Sequence, residues 1–492
     1  MSSTHGVLRV PRPSSATLAV GAVTLIVAGL LAAQIWMDPN IEVTRSDSPF
    51  TDEGWSVMGA RNVVLLGRWI TDEWELVIAQ LPFNAAALAA FELFGVGIIQ
   101  ARVVSLLAAV AAVGILGLLV GRRFGLGAGA FAALALGMAP LLLFYGRLAL
   151  LEPMMTAALV AGFAALLADA RRGAWWPGLL AGVAQAIAMG TKPSAAAAIV
   201  GMLAGSLVAA GAGRQLILRR WGIVAAVLVA CGLAWGVGVT LAGISIPRAL
   251  RPWPETGFLS PVDVLATRAW EYVNGANDNA VQLTATLIVG AALGLMVLWT
   301  VRRSLGQPQR LVVGAALGWA LVEIVVILLA DYRPNRYALP VLPPLALLTG
   351  VGGGTLLTAA RRARPVNAVL ALALVVAIAA AGVASLQRWF SIATYRLPAI
   401  QQELADLLPP GAVVQGWFAP TLAMRAPVTT IVAQGEVNRG DTYQRLGVRW
   451  LLLERRGEPV DWLELHRDAW ANRRWLGCWT WQRGEICLDQ LP

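Results

Sequence analysis

Residues Ile98–Val120 read IIQARVVSLLAAVAAVGILGLLV, twenty-three residues with one charge, Arg102, near the start. As a helix this stretch rises about 34 Å, enough to cross the ~30 Å hydrocarbon core of a bilayer. Similar runs lie on both sides of it. Ala16–Trp36 comes before, and roughly 126–144, 150–168, 176–190, 193–212, 221–243, 279–300, 311–330, 339–359 and 367–386 follow. The stretch 81–94, LPFNAAALAAFELF, is apolar but short, and reads as a re-entrant or interfacial helix. Together the runs predict about eleven membrane spans. Composition agrees. Hydrophobic residues make up 58% of the 492 and charged residues 13%, about half the usual share in a soluble domain. Mean hydropathy is +0.67.

Arginine placement sets the expected orientation, because basic residues near spans stay in the cytoplasm. Arg9 and Arg12 precede the first span, and Arg122 and Arg123 follow the second. Arg171 and Arg172, then Arg214, Arg219 and Arg220, then Arg302, Arg303 and Arg310, then Arg361, Arg362 and Arg364 occupy every second loop. The N-terminus is therefore expected inside and the C-terminal segment outside. The first span lacks a small-residue cleavage site and reads as a retained anchor. Arginine and alanine richness suggests a high-GC bacterial genome, hence a bacterial plasma membrane. The net charge of +10 comes from the inside loops; residues 390–492 hold eleven arginines and eleven acids. Nucleic acid is not implied.

The predicted domains are a helical bundle over 1–389 and a small extracytoplasmic α/β domain over 390–492. In the bundle, the outer loop 37–80 contains a helix at 55–69, WSVMGARNVVLLGRW. Trp55, Met58, Leu65, Leu66 and Trp69 fall near one face, with Arg61 and Arg68 elsewhere, so it is expected to lie on the membrane surface. A second outer loop spans 244–278. In the tail, helices are expected at Gln401–Leu408, Thr442–Leu446 and Asp461–Trp470. Strands are expected at Ala412–Phe418 and Val448–Leu453, with a hairpin of 475–481 and 485–489. Cys478 and Cys487 flank that hairpin's turn and could face each other as a disulfide in an oxidising compartment; two free buried thiols are the alternative. Cys231 reads as packing within a span.

Several residues stand out as chemistry. Asp52 and Glu53 form an adjacent acidic pair on the outer side. One reading is a general base at the membrane surface, the other an N-cap with a solvated neighbour. Glu152 begins the fourth span, either facing a cavity or paired with Arg147. Lys192 is the only lysine among 38 basic residues and could serve as a point charge on phosphate, or stand there by chance. Arg333, Arg336 and Tyr337 make a second outer cationic cluster, or an interfacial anchor. Glu323, inside the ninth span, is expected to pair within the bundle. With only His5 and His466 there is no histidine metal set, and no Asp-x-Asp triplet or glycine-rich phosphate loop occurs.

Taken in order, these stretches resemble the C-type membrane glycosyltransferases, in the family related to protein O-mannosyltransferases and lipid A aminoarabinose transferases. The resemblance rests on Thr51-Asp-Glu-Gly-Trp55, Phe94-Gly95, Ala101-Arg-Val-Val-Ser105, Tyr145-Gly-Arg147 with Glu152, Gly190-Thr-Lys192, and Arg336-Tyr-Ala-Leu-Pro340 with Pro343-Pro344. It covers roughly residues 16–359. It implies a donor sugar on a polyprenyl phosphate, inversion at the sugar C1, and Asp52 as base. Glu53 and Glu152 would position the acceptor, or a divalent metal if one is used. Lys192, Arg336 and Tyr337 would hold the donor phosphate, with Arg147 and Arg333 as further cations. The acceptor could be protein, lipid or polysaccharide, and the tail could help bind it. Trp55, where relatives often carry Tyr, and Leu81-Pro-Phe-Asn84, where they often carry Pro-Pro, depart from the pattern. A lipid or sugar transporter, or flippase, is the competing reading, but neither inverted repeats nor charged broken helices are evident. A membrane scaffold would need none of the paired acids.

Overall fold

A computed structural model describes residues 15–40, 48–69, 71, 80–168, 174–241, 291–292, 294–296, 299, 305–330, 334–360, 365–432, 442–454, 468, 471–481 and 484–492. The helices in chain order are α1 (Ser15–Ala33), α2 (Ser48–Trp55), α3 (Met58–Leu66), α4 (Leu81–Phe94), α5 (Ile98–Phe124), α6 (Leu126–Gly137) and α7 (Pro140–Tyr145). They continue with α8 (Leu151–Leu166), α9 (Trp176–Thr191), α10 (Ala195–Ala209), α11 (Arg214–Leu241), α12 (Gln307–Leu329), α13 (Leu342–Ala360) and α14 (Pro365–Ser391). Beyond them lie α15 (Leu397–Leu407), α16 (Ala419–Leu422) and α17 (Thr442–Leu446). A 3₁₀ turn, Asn335–Val341, leads into α13.

The chain is a multi-pass membrane protein. Among the described residues, five helices are long and apolar enough to cross a bilayer: Ile98–Phe124, Arg214–Leu241, Gln307–Leu329, Asn335–Thr358 and Val366–Ser391. The 126–144 run is not one helix. Pro140 cannot donate a backbone hydrogen bond, and the residue before it is steered out of helical geometry; the run breaks at Met138–Ala139 into α6 and α7. α4 has 14 residues, about 21 Å, too short to span. The 244–278 loop, most of the 279–300 run, and the expected helix at 461–470 lie outside the described residues or nearly so.

Helix pairs meet through small residues, as packing in lipid favours. Gly201 and Gly205 of α10 face Gly314 and Gly318 of α12 so closely that an added Cβ on any of them would strike the opposing backbone or Ala209. At the other side of the bundle, Gly350 and Gly354 of α13 lie against Ala128 and Ala132 of α6. Arg123 and Arg220 donate to the carbonyls of Leu167 and Leu166 at the C-terminal end of α8. Cations there satisfy carbonyls that no helical amide can reach. Cys231 is exposed on α11 and does not pack in the core as the sequence suggested.

Among the described residues of 413–490 lie five short strands: β1 (Val413–Gln415), β2 (Thr429–Ile431), β3 (Trp450–Glu454), β4 (Arg474–Trp481) and β5 (Gly484–Gln490). Their order is β2-β1-β3-β5-β4. β2, β1 and β3 run parallel, while β5 is antiparallel to both β3 and β4. The expected strand at 412–418 is shorter: at Gly416 (φ 155°) the chain turns out of the sheet, with the Ala419 amide donating to the Gly416 carbonyl, and enters α16. Cys478 and Cys487 are opposite in the ladder and joined as a disulfide.

This sheet does not stand apart from the outer loop. One apolar core contains Phe50, Val57, Ala60, Phe83 and Phe91 from the loop side and Leu397, Leu404, Val414, Leu422, Leu452 and Leu488 from the C-terminal side. The expected surface helix at 55–69 is also different. It turns at Ser56–Val57, giving α2 and α3, and Met58–Asn62 are buried. Arg61, fully buried, donates to the carbonyls of Met424, Ala423, Ala426 and Val428 at 2.6–3.0 Å. Its guanidinium, five donors in a fixed fork, finds acceptors in a turn of the C-terminal segment instead of solvent.

Candidate active site

Four segments converge on one cluster of charges. Glu152 sits in the first turn of α8, where a helix N-terminus favours a carboxylate. Lys192 is the C-cap of α9 in extended conformation, at the helix end that favours a cation. Arg336 and Tyr337 come from the 3₁₀ turn before α13, and Asp52 from α2. Lys192 Nζ donates to Glu152 Oε1 at 2.5 Å, and Arg336 Nε to the same oxygen at 3.1 Å. Arg336 Nη2 pairs with Asp52. Lys192 Nζ also lies 3.6 Å from the centre of the Tyr337 ring, a cation–π contact. Two carboxylates thus meet two cations, with an aromatic face beneath the ammonium.

The cluster is buried but not sealed. The side chains of Glu152 and Arg336 are 3% and 7% exposed, whereas Asp52 and Lys192 keep 16% each. Burial raises the Asp52 carboxyl above its ordinary 3.8 despite the opposing pull of Arg336. A carboxylate shifted upward is a stronger base.

Glu53, next in sequence, belongs to a different centre. Its carboxylate takes two hydrogen bonds of 2.7 Å from Arg102 and one of 2.8 Å from the Ala149 amide. Arg102 in turn donates to the carbonyls of Ile35 and Met37. Both side chains are within 1% of complete burial. This centre ties the end of α1, α2, the start of α5 and residue 149 together. Glu53 is thus fully engaged by protein groups and lies apart from the Asp52 cluster. Nor do the acids cap α3, as the sequence suggested; they lie within α2, and basic side chains supply the counter-charge.

Arg147 does not pair with Glu152. It is buried and donates to the carbonyls of Gln34 and Met37 at 3.0 and 2.7 Å. Arg333 lies outside the described residues. Glu323 is buried in α12; its carboxylate is hydrogen-bonded by the Ala198 backbone of α10, a contact within the bundle, while among the described residues its Oε1 has no hydrogen-bond partner. Sequence reasoning missed Arg102, Arg61 and Thr421, which frame α2. The arginine inside an otherwise apolar span was a usable signal for Arg102; nothing marked Thr421.

Bundle and cluster together define a class. The chain has the fold of the C-type membrane glycosyltransferases. ArnT from Cupriavidus metallidurans, solved bound to undecaprenyl phosphate, superposes with a TM-score of 0.60 at 18% identity, covering 96% of this chain and 97% of that one. Its apo state gives 0.61 at 18% identity, covering 97% and 98%. The Archaeoglobus fulgidus oligosaccharyltransferase, in complex with zinc and sulfate, gives 0.51 at 13% identity, covering 88% of this chain and 68% of that one. The family described as dolichyl-phosphate-mannose-protein mannosyltransferase matches residues 82–235, a stretch that contains Glu152 and Lys192. No curated protein sequence matches the chain significantly.

Proposed function

We propose that this chain is an inverting glycosyltransferase that moves a sugar from a polyprenyl-phosphate donor to an extracytoplasmic acceptor. The observation that carries the reading is the meeting of Asp52, partly exposed, with Lys192 and Arg336. Asp52 takes a proton from an acceptor hydroxyl or amine as that atom attacks the sugar C1. The bond from C1 to the phosphate oxygen breaks on the opposite face, and the configuration inverts. Its electron pair leaves with polyprenyl phosphate, whose charge Lys192 and Arg336 stabilise. Tyr337 steadies the ammonium from below, and Glu152 holds both cations before the donor arrives. An entering phosphate competes with the two carboxylates for the same cations, so donor binding loosens Asp52 from Arg336. The undecaprenyl phosphate bound by ArnT, which shares the fold, supports a lipid-phosphate donor here.

The reading includes a topology. The five long helices, the runs 16–36, 126–144 (α6 and α7 together), 150–168, 176–190 and 193–212, and the run 279–300 make about eleven spans. The N-terminus is cytoplasmic, and residues 390–492 are an extracytoplasmic domain. No metal step is proposed, since the carboxylates of the cluster already face two cations. Among the described residues, the one metal-like grouping is Cys478, Glu485 and Cys487, whose thiols form a disulfide.

The test is transfer of radiolabel from polyprenyl-phosphate sugars to a membrane extract by purified protein, wild type against Asp52→Asn. Transfer by wild type alone supports the reaction and the base. Equal transfer by both removes Asp52 from the role. No transfer by either, across a range of donors, favours the transporter reading.

A further inference from the structure

α2, which carries Asp52, has eight residues. A helix so short does not hold itself in water, so the position of Asp52 depends on what grips α2 from outside. Glu53 is gripped by Arg102 and Ala149. The second grip comes from α16, more than 360 residues further along the chain. The Thr421 hydroxyl accepts a hydrogen bond from the Gly54 amide at 3.0 Å. As a donor it reaches the Phe50 carbonyl at 2.8 Å and the Thr51 carbonyl at 3.1 Å, its one proton shared between them. These three backbone contacts flank Asp52 on both sides.

The approach is close. A Cβ at position 54 would collide with the Thr421 amide nitrogen and hydroxyl. Thr421 is itself fixed: it is fully buried, and its carbonyl accepts from Gln401 Nε2 at 2.6 Å. Aromatic pairs close the contact at either end. Phe50 meets Phe418 at 5.3 Å between ring centres, and Trp55 meets Trp417 at 6.0 Å while donating to the Trp417 carbonyl.

We infer that Thr421 is a positioning residue for Asp52, and that the C-terminal segment forms part of the catalytic scaffold by gripping α2. The inference rests on Asp52 being the base. A carboxylate displaced by about 1 Å can cost around 10²-fold in rate, and the hydroxyl of Thr421 is the group that fixes the backbone around it. Acceptor binding by the same segment would be a separate role.

The test compares Thr421→Val, Thr421→Ser and Asp52→Asn in full-length, detergent-purified protein, with kcat and donor KM measured for each. Thr421→Val keeps the shape and removes the hydroxyl. The expected result is a fall in kcat of about ten- to a hundredfold with donor KM unchanged, and recovery in Thr421→Ser. Wild-type kcat in Thr421→Val, with Asp52→Asn inactive, overturns the inference alone. Wild-type kcat in Asp52→Asn overturns the base assignment and this inference with it. If Thr421→Val does not fold, Gly54→Ala is measured, which wedges the same contact apart while keeping the hydroxyl. A kcat loss there at constant donor KM supports the inference, and wild-type kcat overturns it.

Discussion

Asp52 and Glu53 are neighbours in sequence and differ in almost every physical respect. Glu53 is fully buried and takes three hydrogen bonds from Arg102 and Ala149. Asp52 keeps 16% of its side chain exposed, and its ion pair is with Arg336, which also serves Glu152. A fully buried carboxylate held by three fixed donors is not presented to a substrate. One that shares a cation with a second acid can exchange that cation when another anion arrives. Side chains of consecutive helical residues point about 100° apart, so one short helix places its two carboxylates in different charge centres. The contrast predicts that removing either charge harms the protein in a different currency: rate for Asp52, stability for Glu53 and Arg102.

The largest effect is expected in turnover. Asp52→Asn should lower kcat by about 10²–10⁴-fold, the range for general-base catalysis, in the radiolabel assay. A loss below tenfold would place the base elsewhere and erase the contrast. Next comes the structural centre. Arg102→Met leaves the Glu53 carboxylate buried without its cation, and breaking such a pair costs about 3–5 kcal/mol. Denaturant unfolding in detergent should show that loss, whereas unchanged stability would mean that the Glu53 centre does not frame α2.

A third variant probes the donor side. Lys192→Met removes an ammonium with two partners, Glu152 and the Tyr337 ring. Hydrogen bonds involving a charge contribute about 1.5–3 kcal/mol, roughly ten- to a hundredfold in affinity. Donor KM should rise by that order, with a smaller change in thermal stability than in Arg102→Met. A change in kcat alone would move Lys192 away from the ground-state phosphate.

The two centres were unequally legible in the sequence. The spans follow from uninterrupted apolar runs, because a bilayer imposes a length that composition cannot hide. The members of the Asp52 cluster were visible as rare residues in an apolar chain: the only lysine, an acid starting a span, and cations by a proline-rich turn. Their convergence was implied by the family resemblance alone, since residue patterns cannot show that the ends of α8, α9 and α13 meet. Glu53 was misjudged because adjacency to Asp52 suggested a shared task, and its partner sits 49 residues away inside a span. The helix at 55–69 was placed on the membrane for a similar reason. Its arginine looked like a solvated face, but the carbonyls that receive Arg61 come from 423–428, a segment with no pattern linking it to the loop. Long-range polar contacts leave no period in the sequence, and they hold the described part of the outer loop at Glu53 and Arg61.

The smallest effect concerns pH, and it sharpens the comparison at Asp52 itself. Burial raises the Asp52 carboxyl above 3.8, and a carboxyl must be ionised to act as a base. Activity should therefore fall as pH drops through that raised value, and the acid limb of kcat/KM, which reports the free enzyme, should lie above 3.8. The stability term has the opposite sense. A carboxyl whose folded value is raised contributes stability that is fully present below its unfolded value and is lost as pH rises through the folded one. Asparagine at 52 is neutral at every pH. At neutral pH, Asp52→Asn should then unfold at the same temperature as wild type or slightly higher, and that advantage should vanish in acid. A lower unfolding temperature at neutral pH would mean that the Arg336 pair outweighs the burial of Asp52, making Asp52 a structural anion like its neighbour.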